Sequence, residues 1–107
     1  MEINSKIHIK PSVWFYVDVF ARPEITRIPV IVVRTSPPGY EPTITSAGDG
    51  VHKEGSRHYS GKAFDFRIND LPTEISVKTW VNRIQASLGN DYFVLLEQDH
   101  IHVQWNG

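Results

Sequence analysis

The chain has 107 residues, enough to bury one modest core, so a single domain spanning 1–107 is expected. Its composition, 40% hydrophobic and 21% charged, is that of a soluble globular protein. A net charge of −1 with scattered Lys and Arg argues against an electrostatic grip on nucleic acid or an anionic membrane, and the lack of cysteine excludes disulfides and thiolate metal sites.

The N-terminal stretch has no basic segment followed by an apolar run and a small-residue cleavage site, so no export signal is read and a cytoplasmic location is expected. "VWFYVDVFA" (Val13–Ala21) is too short to span a membrane and is interrupted by Asp18. Pro11 at a first helical turn, with Val13, Trp14, Val17 and Phe20 at near-helical spacing, predicts a short amphipathic helix ending before Pro23. A strand is the competing reading, because the run is rich in β-branched and aromatic residues. "IPVIVVRT" (Ile28–Thr35) reads as a strand with a buried centre, and "SPPGYEP" as a loop.

Thr43–Ala47 is expected to form a short strand, and "GDGVHKEG" the loop after it. "GKAFDFRI" alternates, with Phe64, Phe66 and Ile68 on one face and Ala63, Asp65 and Arg67 on the other. From Thr73 as N-cap a helix is predicted to about Leu88, with an apolar stripe of Val77, Trp80, Val81, Ile84 and Leu88 and with Gly89 ending it. "DYFVLLE" and "HIHVQW" then read as two antiparallel strands joined by a tight turn near Gln98–Asp99. The fold class expected is α+β, a small antiparallel sheet flanked by helices on one side.

Three of the five histidines fall with acids in two stretches, "SRHYSGKAFDF" and "EQDHIHVQW". In the second, Ile101, Val103 and Trp105 share one face, leaving His100, His102 and Gln104 on the other. If the apolar faces are core, neighbouring strands present His58, Asp65 and a C-terminal histidine to a common point. Two imidazoles and a carboxylate can hold a catalytic zinc with a fourth position open for water. Zinc lowers the pKa of that water toward ~7, and a nearby carboxylate, Asp99 or Glu97, is then needed to carry its proton. The competing reading is an ordinary surface His–Asp hydrogen bond beside two exposed imidazoles.

The stretch Ser56-Arg-His58-Tyr-Ser-Gly61-Lys-Ala63-Phe-Asp65 resembles the SxHxxGxAxD motif of the zinc D-Ala-D-Ala carboxypeptidase and dipeptidase family, peptidase family M15, at every fixed position. Asp99-His100-Ile101-His102 followed by Trp105 is similar to its terminal acid-x-x-His element, and the resemblance covers about Thr43 to Trp105, most like the short members of phages and prophages. It implies a fold shared with Hedgehog signalling domains, Zn2+ as cofactor, and hydrolysis of a D-Ala-D-Ala or L-Ala-D-Glu type bond in peptidoglycan stem peptides or crosslinks, or of a D-amino-acid dipeptide. A monomer is expected, and release to the cell wall by phage lysis, or carriage in a virion, would bring such an enzyme to its substrate.

Carried over by position, the resemblance makes His58 and Asp65 the first two zinc ligands. Two registers supply the third: Asp99 as the acid with His102 as ligand and His100 assisting, which is preferred, or Glu97 with His100. The arginine that many members carry after a "TSG" stretch is missing from Thr45-Ser46-Ala47-Gly48-Asp49-Gly50. His52 is the first choice to supply positive charge in its place, ahead of Arg57 and Lys53. Ser56, Arg57 and Tyr59 are expected at the substrate. From another functional class, a non-catalytic Hedgehog-like zinc domain with a structural or interaction role is the alternative.

Overall fold

The computed structural model describes residues 4–50, 52, 54–72 and 74–107. Its elements run β1 (His8–Ile9), a 3-10 turn (Val17–Ala21), α1 (Pro23–Thr35), β2 (Thr43–Ser46), a second 3-10 turn (Arg57–Ser60), β3 (Ala63–Arg67), α2 (Glu74–Leu88), β4 (Tyr92–Leu96) and β5 (His100–Trp105). The five strands form one sheet in the order β1-β2-β3-β5-β4. The α+β class is as expected, but the sheet is mixed rather than antiparallel, because β1 runs parallel to β2.

Two expectations for the first half are corrected. The helix read over Pro11–Phe20 is absent, and only Val17–Ala21 coils, as a 3-10 turn. The strand read at Ile28–Thr35 is the body of α1, with Pro23 in its first turn, Glu24 near its N-terminus and Arg34 near its C-terminus. Ile25, Ile28 and Val32 fall on one helical face and are fully buried, so tertiary burial overrides the β-propensity of the run. The interior Pro29 removes one intrahelical donor, and the helix continues through it.

α1 and α2 pack against each other and on the same face of the sheet. The core joins Ile25, Ile28 and Val32 of α1 and Trp80, Ile84 and Leu88 of α2 to Phe64, Phe66, Ile101 and Val103 of the central strands. Trp80 donates its buried indole N–H to Val32 O at 3.1 Å, satisfying a carbonyl of the last α1 turn. Arg27 donates to the Ser87 and Leu88 carbonyls, and Gly89, at φ 92°, closes the α2 C-terminus as expected. Thr73, read as the N-cap, lies outside the described residues, as does Lys53. No described helix is long and apolar enough to cross a membrane.

Neither described α-helix packs on the other sheet face, where the Arg57–Ser60 turn lies against β3. β3 and β5 pair antiparallel with Asp65 opposite His102 and Arg67 opposite His100, while β4 sets Leu95 opposite His102 and Phe93 opposite Gln104. Alternation therefore lays three rows across this face: Arg67 beside His100, Asp65–His102–Leu95, and Ala63–Gln104–Phe93. Between β2 and β3 the register shifts at Thr45, which sets Ser46 opposite Asp65.

Candidate metal centre

His58 owes its position to the turn before β3. The Ser56 hydroxyl accepts from His58 N at 3.2 Å and caps the Arg57–Ser60 turn, and Gly61 ends it in the left-handed conformation at φ 73°. A Cβ at Gly61 would lie 3.3 Å from both Tyr16 and Val19 atoms, so the packing as well as the angle calls for glycine there. The turn folds His58 back over β3, leaving it 1% exposed.

Three imidazoles converge on Asp65. Its Oδ1 lies 3.1 Å from His58 Nε2 and 3.1 Å from His102 Nδ1, and its Oδ2 is 3.7 Å from His100 Nε2. The far nitrogens decide the tautomers, since carbonyl oxygens only accept. His58 Nδ1 donates to Ala47 O at 2.7 Å, and His102 Nε2 donates to Gln104 Oε1 at 2.8 Å. The Gln104 amide is itself fixed by donating to Asn106 Oδ1 at 2.7 Å. In their neutral forms both rings thus turn a bare lone pair toward a carboxylate oxygen, an arrangement that needs a proton or a cation between the partners.

Such a donor set could hold a metal ion. The ring nitrogens face the carboxylate, each imidazole is oriented by an acceptor on its other side, and the 3.1 Å separations approach the about 3.3 Å expected between tetrahedral ligands with bonds of about 2.0–2.1 Å. His52 joins the cluster from the loop: ligand atoms of His52, His58 and Asp65 all lie within 4.8 Å of one another. Its ring stacks on His58 with centroids 3.8 Å apart, while its Nε2 bonds Asp49 O and Ser46 Oγ. The residue read from sequence as a source of positive charge therefore stands with His58 and Asp65 in the group that could hold a metal ion.

Burial alone would raise the Asp65 pKa, but hydrogen bonds from His102 and His58, and the charges of His58 and His100, hold it well below the usual carboxylate range. Burial likewise works against the His102 imidazolium, and its hydrogen bonds to Asp65 and Gln104 outweigh that, so its pKa is raised above the ordinary 6.5.

The centre lies in a cleft of about 620 Å³ whose walls include Ser56, Arg57, Phe93, Leu95, Glu97 and His100. His100 Nδ1 donates to Asp99 Oδ1 at 2.6 Å, which leaves its Nε2 bare, 3.6 Å from Glu97 Oε1. Asp99 itself is 77% exposed on the far side of His100, and that hydrogen bond holds its carboxyl below the ordinary value. Ser56 and Arg57, expected at the substrate, line the cleft. The Tyr59 hydroxyl instead accepts from His52 N and donates to His52 O, clamping the loop that carries His52. Gln104, Phe93 and Leu95 had no assigned role, although strand parity already places each on the site face. The Ala47 carbonyl has no sequence signal at all. The chain matches no protein-family model and no curated protein.

Proposed function

We propose that this chain is a zinc-dependent peptidase of the M15 kind, hydrolysing peptidoglycan stem peptides or crosslinks at a D-Ala-D-Ala or L-Ala-D-Glu type bond. The observation that carries the reading is the pair of bare ring nitrogens of His58 and His102, both 3.1 Å from one buried Asp65 oxygen at the floor of an open cleft. His58, Asp65 and His102 would hold the metal, in the register that pairs Asp99 with His102. Zinc bound there supplies Lewis-acid polarisation of a carbonyl and acidification of water.

The chain's own residues supply the proton traffic. His100, held in one tautomer by Asp99, presents Nε2 to the cleft as the base that takes a proton from the attacking water. The water oxygen bonds to the scissile carbonyl carbon, the C–N bond breaks, and His100 returns the proton to the leaving nitrogen. Asp99 acts as the positioning residue, in the manner of the acid in an Asp–His pair. Glu97, 3.6 Å from the same Nε2, flanks the proton path. Phe93 and Leu95 offer an apolar wall for a small side chain.

His52 favours a second reading. With it as fourth ligand the shell would be closed, as in structural zinc sites, and the domain non-catalytic. One experiment separates the two: digestion of purified peptidoglycan and soluble muropeptides, analysed by mass spectrometry with and without chelator. A chelator-sensitive new terminus is expected, and its mass names the bond. Zinc-loaded protein that cleaves none of several stem-peptide chemistries overturns the peptidase reading in favour of the closed site.

A further inference from the structure

The chain just before the first 3-10 turn reaches the His58 supports through two glycines. Trp14 O accepts from Gly48 N at 3.0 Å, and the Trp14 ring lies over the same residue. A Cβ on Gly48 would stand 2.6 Å from Trp14 Cζ3 and 2.9 Å from Cε3. Tyr16 meets Trp14 edge to face, with centroids 5.0 Å apart, and its ring lies against Gly61, where a Cβ would come 3.3 Å from Tyr16 Cδ2. Gly48 adjoins Ala47, whose carbonyl accepts from His58 Nδ1 at 2.7 Å, and Gly61 closes the turn that carries His58. One short run of chain thus touches both supports of one imidazole: the acceptor that fixes its rotation and the turn that fixes its backbone.

Two features set Trp14 apart from ordinary packing. Its neighbours Val13, Phe15 and Tyr16 pack on the hydrophobic core, whereas Trp14 is 49% exposed and sets its ring edge on the loop. Gly48 is not one of the left-handed glycines, so the ring contact, and not the backbone angle, calls for glycine there. Within the loop, Asp49 Oδ1 accepts from Ala47 N at 2.8 Å, a bond that shapes the loop, while Trp14 ties it to the body of the protein.

We propose that Trp14, held by Tyr16, is a positioning residue for the metal centre: it keeps Ala47 O where it locks the His58 ring with Nε2 toward Asp65. The consequence for metal affinity rests on the reading of His58 as a ligand; the consequence for the His58 ring does not. The second side-chain torsion of histidine is soft, so the ring needs an acceptor in a fixed place to hold Nε2 at 3.1 Å from Asp65 Oδ1. Partners that orient a ligand in this way are typically worth about 10–100-fold in metal affinity.

The test uses the full chain with Trp14→Ala, Trp14→Phe and Gly48→Ala, and with Ile25→Val in the α1 core as a control for stability alone. In zinc-free protein the His58 Nδ1–H, buried and bonded to a carbonyl, should give a slowly exchanging downfield proton signal by NMR. Trp14→Ala and Gly48→Ala should lose that signal to exchange, while Trp14→Phe, which keeps a ring over Gly48, and Ile25→Val should retain it. Zinc affinity, read by chelator competition where all variants are folded, should fall about tenfold or more in the first two and stay near the parent's in the others. Adding Gly48→Ala to Trp14→Ala should do less than Gly48→Ala alone, because removing the ring frees the space that the new methyl needs.

A parent without the signal, or a Trp14→Ala variant that keeps both the signal and the parental zinc affinity, overturns the proposal. So does a loss of affinity that tracks the denaturation midpoint across all four variants, Ile25→Val included, since Trp14 would then act through stability. If Trp14→Ala loses the signal while zinc affinity stays parental, Trp14 does position the ring, and it is the reading of His58 as a metal ligand that falls.

Discussion

Asp65 is the residue on which the site's behaviour turns, because one of its oxygens faces two imidazole nitrogens. Its pKa is depressed, so its stabilising contribution is present above 3.8 and disappears as pH falls through the lower folded value. The His102 pKa is raised, so its contribution is full below 6.5 and is lost as pH rises through the higher folded value. The zinc-free chain should therefore be most stable between 3.8 and 6.5, and thermal melts across pH will check it. Zinc competes with the same protons, so its apparent affinity should fall as pH drops into that window. His102→Ala should lower zinc affinity by more than about 100-fold, beyond the about 10–100-fold typical of an outer partner such as Gln104. Retained affinity in that variant, measured by chelator competition, would show the ligand register to be wrong. Asp99→Ala should leave zinc affinity alone and lower kcat by about 10²–10⁴ with KM little changed, the range for acid–base machinery.

Among the elements, the Arg57–Ser60 turn and the β4 edge carry the sharpest expectations. Gly61→Ala forces a left-handed residue to carry a Cβ against Tyr16 and Val19, at about 1–2 kcal/mol for the backbone alone. Because the turn aims His58, both the denaturation midpoint and zinc affinity should fall together. β4 is a sheet edge, and Gln85 of α2 covers it by accepting from Val94 N and donating to Tyr92 O. Gln85→Ala should destabilise the chain by about 1–3 kcal/mol and expose an edge beside Phe93, Leu95 and Leu96, promoting self-association visible by light scattering. Element by element, the second half of the chain was legible: β3, α2, β4 and β5 fall where period and turn signals put them. In the first half only the strand at Thr43–Ser46 was legible; the chain before Ser36 was not. In Ile28–Val33 a β-branched run conceals helical spacing that emerges only with Ile25 included and the packed partner known, while Val13, Phe15, Tyr16 and Val19 pack on the core and Val17 and Phe20 stay exposed, without a helix over 11–20.

At the scale of the whole molecule, a buried cluster that assembles its donors only on folding would couple zinc binding, as proposed, to stability. Zinc at about 100 times its Kd should add about 2.7 kcal/mol, which for a domain of about 100 residues is a rise in Tm of about 10–20 °C. Calorimetry with and without chelator measures it, and the shift should vanish in His58→Ala. The two helices pack on one sheet face, and the strands set out the polar side chains on the other: Asp65 and His102 at the centre, Phe93 and Leu95 on β4, Arg67 at the end of β3 and Lys10 after β1.

Local period determined a good deal on its own. A strand alternates with period two whatever it pairs with, so Asp65 and Arg67, and separately His100, His102 and Gln104, were bound to share faces once Phe64, Phe66, Ile101 and Val103 went to the core. The motif around His58 and Gly61 likewise encodes its own turn. Pairing is different, because register depends on contacts between residues far apart in the chain. Only the folded sheet decided that Asp65 stands opposite His102 and Arg67 opposite His100, that Ala47 and Gln104 orient the imidazoles, and that His52 lies on His58. Those placements follow from how β2, β3 and β5 align under two helices, a balance of burial over the whole core that no short stretch of sequence contains.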